Sequence, residues 1–140
     1  MDKFIIYTDG GARGNPGPAG AGAVIYDKNG NEVKKLYKYL GEKTNNWAEY
    51  EAVFLALDGL RKIVGEKRSK ECKVEVRMDS ELAVRQLSGK YQIKTESLFP
   101  QFIKVWNMRV KYFPNVSFLH ISREKNKEAD RLANEAMDKA

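Results

Sequence analysis

The sequence has one cysteine, one histidine and no long apolar run, and each shortage excludes a class of protein. A single cysteine, Cys72, cannot form an internal disulfide or build a cysteine-rich zinc site. A single histidine, His120, excludes paired-histidine metal motifs. No apolar run approaches the roughly 18 residues of a membrane-spanning helix, and the N-terminus lacks the apolar stretch of a signal peptide. We therefore expect a cytoplasmic protein with no membrane partner, in which only carboxylates can hold a metal.

The chain has the size and charge of one basic globular domain. Its 140 residues are enough to fold around one core, and we expect a single domain over residues 1–140 that acts as a monomer. Lysine and arginine number 25 against 19 aspartate and glutamate, a formal net charge of +6. This balance favours a polyanionic partner such as nucleic acid, although some proteins are basic for solubility alone.

The hydrophobic pattern predicts three strands, a helix, a strand, two helices, a strand and a final helix. Apolar or alternating segments rich in β-branched residues predict strands over residues 3–9, 21–27, 33–40, 73–78 and 116–121. Capping residues and amphipathic periodicity predict helices over residues 44–64, 80–87, 97–112 and 126–139. The glycine- and proline-rich residues between the first two strands, 10–22, are expected to form a loop. An α/β fold follows, with a mixed sheet and helices against its faces.

Four acidic residues stand where a solvated charge is not expected. Asp9 follows the first apolar strand and precedes two glycines, and Asp79 directly follows the fourth strand. Glu49 lies on the apolar face of the first long helix, and Asp130 borders the apolar stripe of the last one. Each also has an ordinary structural interpretation. Asp9 can be a turn residue and Asp79 a helix cap. Glu49 can interact with the helix dipole, and Asp130 can be a boundary residue between the apolar and polar faces of its helix.

Taken together, the four carboxylates indicate a metal site. Such a cluster of like charges repels itself unless divalent cations bind, and oxygen ligands favour Mg²⁺ or Mn²⁺. Two such ions held by carboxylates commonly catalyse in-line phosphodiester cleavage or transfer. The sequence therefore predicts a metal-dependent nuclease, and a non-catalytic nucleic-acid-binding module is the alternative.

Four segments carry a resemblance to a known family. They are YTDGGARGNPGPAGAG, KTNNWAEYEAV, RMDSELAVRQLSG and REKNKEADRLANEA, and they extend over essentially the whole chain. In this order and spacing, they resemble ribonuclease H type 1. The order Asp, Glu, Asp, Asp separates the chain from integrase- and transposase-type relatives, which use two aspartates and a late acidic residue.

The resemblance implies the ribonuclease H fold, with three antiparallel strands, then two parallel ones, and helices on both faces. It implies a hydrolase, an endonuclease that cuts the RNA strand of an RNA–DNA hybrid to leave 5′-phosphate and 3′-hydroxyl ends; an RNA–RNA duplex stays open as a second substrate. It also implies two Mg²⁺ ions, for which Mn²⁺ can substitute. Asp9 would bridge both ions, Asp130 would hold the ion that activates water, and Glu49 and Asp79 would hold the ion nearer the leaving group.

The resemblance further implies a set of substrate-binding residues: Gly10, Gly14, Asn15, Thr44, Asn45, Asn46, Glu81 and Asn126. Among them, Asn15, Asn45 and Asn46 match minor-groove contacts. Thr44, with Asn15, matches a pocket for a phosphate of the DNA strand. Asn126 matches a polar residue that supports the loop of the last carboxylate. Helix capping is an open alternative for the two consecutive asparagines.

Three features depart from the family pattern. Glu81 stands where several members carry a glutamine, and residues 88–97 are too short for the tryptophan- and lysine-rich substrate handle, which implies a compact form. The loop before the last carboxylate contains no histidine. His120 instead falls within the last predicted strand, where we expect a half-buried residue without a catalytic role. Trp47 and Trp106 are expected to be packing groups and not to stack on bases.

Overall fold

A five-stranded mixed sheet forms the centre of the computed structural model, which describes residues 2–140. Its strands are β1 (Lys3–Ala12), β2 (Gly17–Asp27), β3 (Glu32–Lys43), β4 (Lys73–Met78) and β5 (Val116–His120). The strand order is β3-β2-β1-β4-β5, in which the first three strands are antiparallel and β4 and β5 run parallel to β1. The predicted topology is therefore confirmed.

Helices cover both faces of the sheet, as predicted. The described residues form α1 (Asn45–Val64), α2 (Glu66–Glu71), α3 (Glu81–Leu87), α4 (Phe99–Tyr112) and α5 (Lys127–Asp138), together with short 3-10 turns at Glu96–Leu98 and Arg123–Lys125. Helix α1 packs on β1 and β2, α4 packs on α1, and α5 lies across β2 on the opposite face. Within residues 2–140, no helix combines the length and apolar character needed to cross a bilayer.

The glycine-rich segment is strand and not loop, so the predicted loop over residues 10–22 is wrong. Strand β1 continues to Ala12 and pairs with β2 as far as Ala19, which leaves only four residues between the strands. The small residues of β2 allow α5 to lie against its backbone. A Cβ atom at Gly22 would stand 2.5 Å from the carbonyl oxygen of Ala129 in α5. Glycine is therefore required here for close packing, a use that composition cannot distinguish from a turn.

The main core lies between the sheet and α1. Its fully buried side chains include Ile6, Tyr50, Leu57 and Val76. Helix α2 was not predicted, because its six residues, EKRSKE, carry no apolar periodicity.

The two tryptophans differ in their surroundings. Trp47 packs against the core, as expected. Trp106 packs only on the surface: it is 49% exposed on the outer face of α4 and stacks on Phe102.

Candidate active site

Asp9 and Asp79 lie beside each other where β4, the parallel neighbour of β1, ends. Strands β1 and β4 pair as far as Thr8 and Met78, where β4 ends. Asp79 follows directly, while β1 continues through Asp9 as a partner of β2 alone. The parallel register therefore places Asp9 and Asp79 beside each other at one edge of the sheet.

Glu49 reaches this edge because α1 approaches β1 very closely. A Cβ atom at Gly10 would overlap the carbonyl oxygen of Ala48 and stand 2.6 Å from the backbone nitrogen of Glu49. Thr44 begins the helix, since its hydroxyl accepts a hydrogen bond of 3.2 Å from the backbone N–H of Trp47. Glu49 then lines a small cavity, about 150 Å³ in empty volume, together with Asp9 and Asp79.

Asp130 comes from the first turn of α5, and a buried asparagine connects the start of this helix to β1. The side-chain amide of Asn126, 1% exposed, donates a 2.8 Å hydrogen bond to the carbonyl oxygen of Thr8. The carbonyl oxygen of Asn126 in turn accepts from the backbone N–H of Asp130 at 3.1 Å. Asp130 thereby comes within hydrogen-bonding reach of Asp9. The position of Asn126 agrees with a supporting role and not with exposure to a duplex.

The electrostatics of the site disfavour ionisation of Asp9 and Glu49. Burial, the charge of Asp79 and a hydrogen bond with Asp130 raise the pKa of Asp9 to about 8. Burial, followed by the charge of Asp79, raises the pKa of Glu49 to about 7, against the lowering effects of a hydrogen bond from Ser80 and the charge of Arg123. A positive charge bound among these groups would relieve both costs.

The donor set fits divalent cations. It consists of carboxylate oxygens, which Mg²⁺ and Mn²⁺ prefer, and Oε2 of Glu49 is buried without a hydrogen-bond partner. Across residues 2–140, no three His, Cys, Asp or Glu side chains are already gathered as metal ligands. The four carboxylates thus stand beside one another without converging on one point, as expected for mutually repelling charges.

Asn15 and Asn45, two of the predicted substrate-binding residues, connect the β1–β2 turn to the start of α1. Oδ1 of Asn15 accepts a 3.0 Å hydrogen bond from the backbone N–H of Asn45, and Oδ1 of Asn45 accepts one of 2.8 Å from the backbone N–H of Ala12. The backbone donors orient both amides, so the side-chain NH₂ groups are the donors left for a ligand. Because Thr44 is the N-cap, the alternative of capping by Asn45 or Asn46 is wrong.

The other assigned residues differ in accessibility. Gly10 is buried beneath α1, whereas Gly14 is exposed in the turn between β1 and β2. Glu81 is exposed, and its carboxylate forms a 2.9 Å ion pair with Arg85 one turn later. The substrate roles of Gly10, Gly14 and Glu81 stay predictions.

Two residues near the site differ from the sequence-based expectation. His120 lies in β5 beside Met78, as predicted, but it is exposed and not half-buried, because β5 is an edge strand. Arg123 was not assigned any role, yet its charge acts on Glu49. Arg123 and Glu49 are 74 positions apart in the sequence, so only the path of the β5–α5 connection in the structure shows that they are near each other.

Comparisons with known proteins agree with this geometry. The family model described as "Reverse transcriptase-like" matches residues 7–136. LC11-RNase H1, isolated from compost, has a solved structure in complex with RNA/DNA hybrid. It is 53% identical to this chain with a TM-score of 0.93, and the match covers 97% of each chain. The chain belongs to the type 1 ribonuclease H family. The compact form expected from the sequence agrees with this nearly complete mutual coverage.

Two curated relatives of this chain are longer than it. A bifunctional protein of Mycobacterium tuberculosis (strain H37Rv) is 37% identical over 139 residues, which are 99% of this chain but 36% of that protein. The ribonuclease HI of Halobacterium salinarum is 35% identical over 138 residues, 99% of this chain and 66% of that protein. The chain thus spans about a third of the first and about two thirds of the second.

Proposed function

We propose that this chain is a ribonuclease H, an endonuclease that hydrolyses the RNA strand of RNA–DNA hybrids. The observation that carries the proposal is the meeting of Asp79, Glu49 and Asp130 around Asp9, whose pKa all three raise. Family membership supports the reaction, and the hybrid complex of LC11-RNase H1 supports the substrate. Four carboxylates facing a phosphodiester would only weaken binding by a non-catalytic module.

The four carboxylates would hold two Mg²⁺ ions, or Mn²⁺ in their place. Asp9 interacts with both Asp79 and Asp130, which supports a bridging position between the ions. Asp130 would serve the ion on the water side, and Glu49 and Asp79 the ion on the leaving-group side. Bound divalent cations supply a nucleophile at neutral pH and stabilise the leaving oxygen. The expected products carry 5′-phosphate and 3′-hydroxyl ends.

Recognition of the hybrid would use the residues around the start of α1. The hybrid offers 2′-hydroxyls in a wide, shallow minor groove, and the free amide donors of Asn15 and Asn45 suit such acceptors. Asn46 is exposed on the next position of α1. Thr44 and Asn15 would lie at the DNA-strand phosphate. The net charge of +6 favours association with a polyanion.

A side-by-side cleavage assay tests the proposal. Labelled RNA–DNA hybrid, RNA–RNA duplex and DNA duplex are each incubated with the protein in Mg²⁺, and again in EDTA. We expect cleavage of the RNA strand of the hybrid in Mg²⁺ only. Binding of hybrid without cleavage would instead support the binding-module alternative. The RNA–RNA arm decides the breadth of specificity, while the monomeric state and cytoplasmic location stay predictions.

Replacing both Asn45 and Asn46 with alanine should slow hybrid cleavage about thirtyfold. Each lost hydrogen bond to the substrate is worth about 1 kcal/mol net. Loss of the Asn45 acceptor also leaves the backbone N–H of Ala12 unpaired, so the free energy of unfolding should fall by about 1 kcal/mol. Cleavage rates at saturating and subsaturating hybrid, with a melting curve, measure both effects. Asn107→Ala, an exposed change on α4, is the matched control; normal cleavage by the double variant would contradict the assignment.

Replacing His120 with alanine should leave hybrid cleavage within about tenfold of the wild type. The side chain is exposed at the end of an edge strand, whereas general acid–base groups contribute roughly 10²–10⁴-fold. The measurement is single-turnover cleavage with matched hybrid binding. A loss beyond a hundredfold in a folded variant that still binds hybrid would place His120 in the catalytic machinery.

A further inference from the structure

Three buried side-chain oxygens at the candidate active site have no hydrogen-bond partner. One is Oδ1 of Asn126 at the start of α5, and the other two are Oγ1 of Thr8, a residue only 1% exposed, and Oε2 of Glu49. Thr8 and Glu49 line the same small cavity, about 150 Å³ in empty volume, which Asn126 does not line. Leaving one buried polar group unpaired costs about 1–3 kcal/mol. Two such atoms on residues that line one cavity therefore need a physical explanation.

The packing of α1 on β1 places Thr8 beneath Glu49. Side chains alternate along β1, which directs Ile6, Thr8 and Gly10 to the α1 face of the sheet. The close approach at Gly10 brings the backbone of Glu49 directly over this part of the strand. The cavity that remains is too narrow to admit a water molecule. Solvent cannot satisfy either atom, so each can be satisfied only by the other or by a bound ligand.

A second hydroxyl already acts on Glu49 from the start of α3. Ser80 hydrogen-bonds to the Glu49 carboxylate, and its oxygen also accepts a 3.2 Å hydrogen bond from the backbone N–H of Ala83 as the N-cap of α3. The single donor of the Ser80 hydroxyl is thus already used by the Glu49 carboxylate. Thr8 offers the remaining donor on the β1 side of the same carboxylate.

We propose that Thr8 is a positioning residue for Glu49, whose hydroxyl donates to Oε2 when the carboxylate turns to hold a divalent cation. The proposal rests on the proposed function, because it requires Glu49 to be a metal ligand. Hydrogen-bond partners of ligating groups typically change metal affinity 10–100-fold, because they fix the orientation of the ligand. If Thr8 only stabilised strand β1, removing its hydroxyl would leave the metal affinity unchanged.

Binding of Mn²⁺ to the full chain, without nucleic acid, tests the role of Thr8. The electron paramagnetic resonance signal of the free ion measures affinity for wild type, Thr8→Val and Thr8→Ser. Valine keeps the shape and removes the hydroxyl, and should weaken binding about tenfold. Serine keeps the hydroxyl and should bind within about threefold of the wild type. Because valine removes an unpaired buried donor, the metal-free Thr8→Val protein should melt at or above the wild-type temperature.

Ser69→Ala is the matched control. Ser69 also has a fully buried hydroxyl, but it donates to the carbonyl oxygen of Glu66 within α2, at the other end of α1. Its loss should lower the melting temperature without changing Mn²⁺ affinity. Wild-type affinity in Thr8→Val would overturn the proposal. So would an equal loss in Thr8→Val and Thr8→Ser accompanied by lower melting temperatures. Failure of the wild type itself to bind Mn²⁺ would overturn the metal assignment that underlies the proposed function.

Discussion

Asp9→Asn should abolish hybrid cleavage, with a loss of at least about a thousandfold, while making the metal-free protein more stable. Asp9 is the carboxylate that interacts with the other three, so the proposed metal site depends most on its charge. The same charge is unfavourable in the fold, because Asp9 is largely buried and surrounded by acidic groups. Loss of activity and gain of stability are therefore expected from one substitution.

The stability gain should depend on pH in a defined direction. The pKa of Asp9 rises from its ordinary 3.8 to about 8 in the folded protein, so between these values the folded state binds more protons than the unfolded state. The free energy of unfolding of the wild type therefore falls as the pH increases from about 4 to about 8. The variant lacks this titrating group. Its advantage should be small near pH 4 and reach about 2 kcal/mol or more above pH 8.

Melting curves in a chelating buffer at pH 4, 6 and 8.5 measure this difference, and single-turnover assays in Mg²⁺ measure cleavage. Glu81→Gln is the control, since it removes one exposed negative charge that pairs with Arg85 away from Asp9. It should not reproduce the pH-dependent gain. Turnover by Asp9→Asn at the wild-type rate would contradict the two-metal assignment.

Gly22→Ala should destabilise the fold by about 3 kcal/mol and reduce cleavage more than tenfold. The added Cβ would stand 2.5 Å from the carbonyl oxygen of Ala129 and 2.6 Å from the backbone nitrogen of Ala133. Both are backbone atoms of α5, so the whole helix must move away from β2, and overpacking of this kind typically costs about 1–3 kcal/mol or more. Because α5 carries Asp130, the shift would also displace one of the four carboxylates.

Gly59→Ala is the matched control for Gly22→Ala. A Cβ at Gly59 would stand 2.5 Å from Cδ1 of Leu36, the end of a flexible side chain that can rotate away. Alanine is also favoured over glycine inside a helix by about 1 kcal/mol. Chemical denaturation should show Gly59→Ala within about 1 kcal/mol of the wild type. If Gly22→Ala were equally mild, the close packing of α5 on β2 would not be required.

The pattern of residues predicted the fold well where local rules and tertiary structure agree. All five strands were predicted from alternation and β-branched residues, and the three antiparallel and two parallel strands were expected from the family resemblance. The prediction failed at residues 10–22 because glycine has two unrelated uses. It permits turns, and it permits another backbone to approach, as α5 does at Gly22.

The four carboxylates could be selected from the sequence because they occur at strand ends or beside apolar helix faces, where an unpaired charge is unfavourable. The parallel register of β1 and β4 places Asp79 beside Asp9. Packing of α1 and α5 on the sheet adds Glu49 and Asp130. The roles of the four carboxylates toward metal and substrate stay predictions, which the substitutions above test. Arg123 could not be found in this way, because a basic residue in a polar turn has no distinguishing local signal.

By itself, the sequence determined the strand and most helix positions, the acidic residue set and the family resemblance, because each depends on residue types at fixed spacing, and the resemblance in turn implied the topology. Only the tertiary structure decided which polar atoms around the site are satisfied. The side-chain oxygens of Asn15 and Asn45 are occupied by backbone N–H groups, while the hydroxyl of Thr8 and Oε2 of Glu49 have no partner. These differences arise where segments 30 or more residues apart pack together, and the distance between two packed backbones is not encoded in the spacing of either segment.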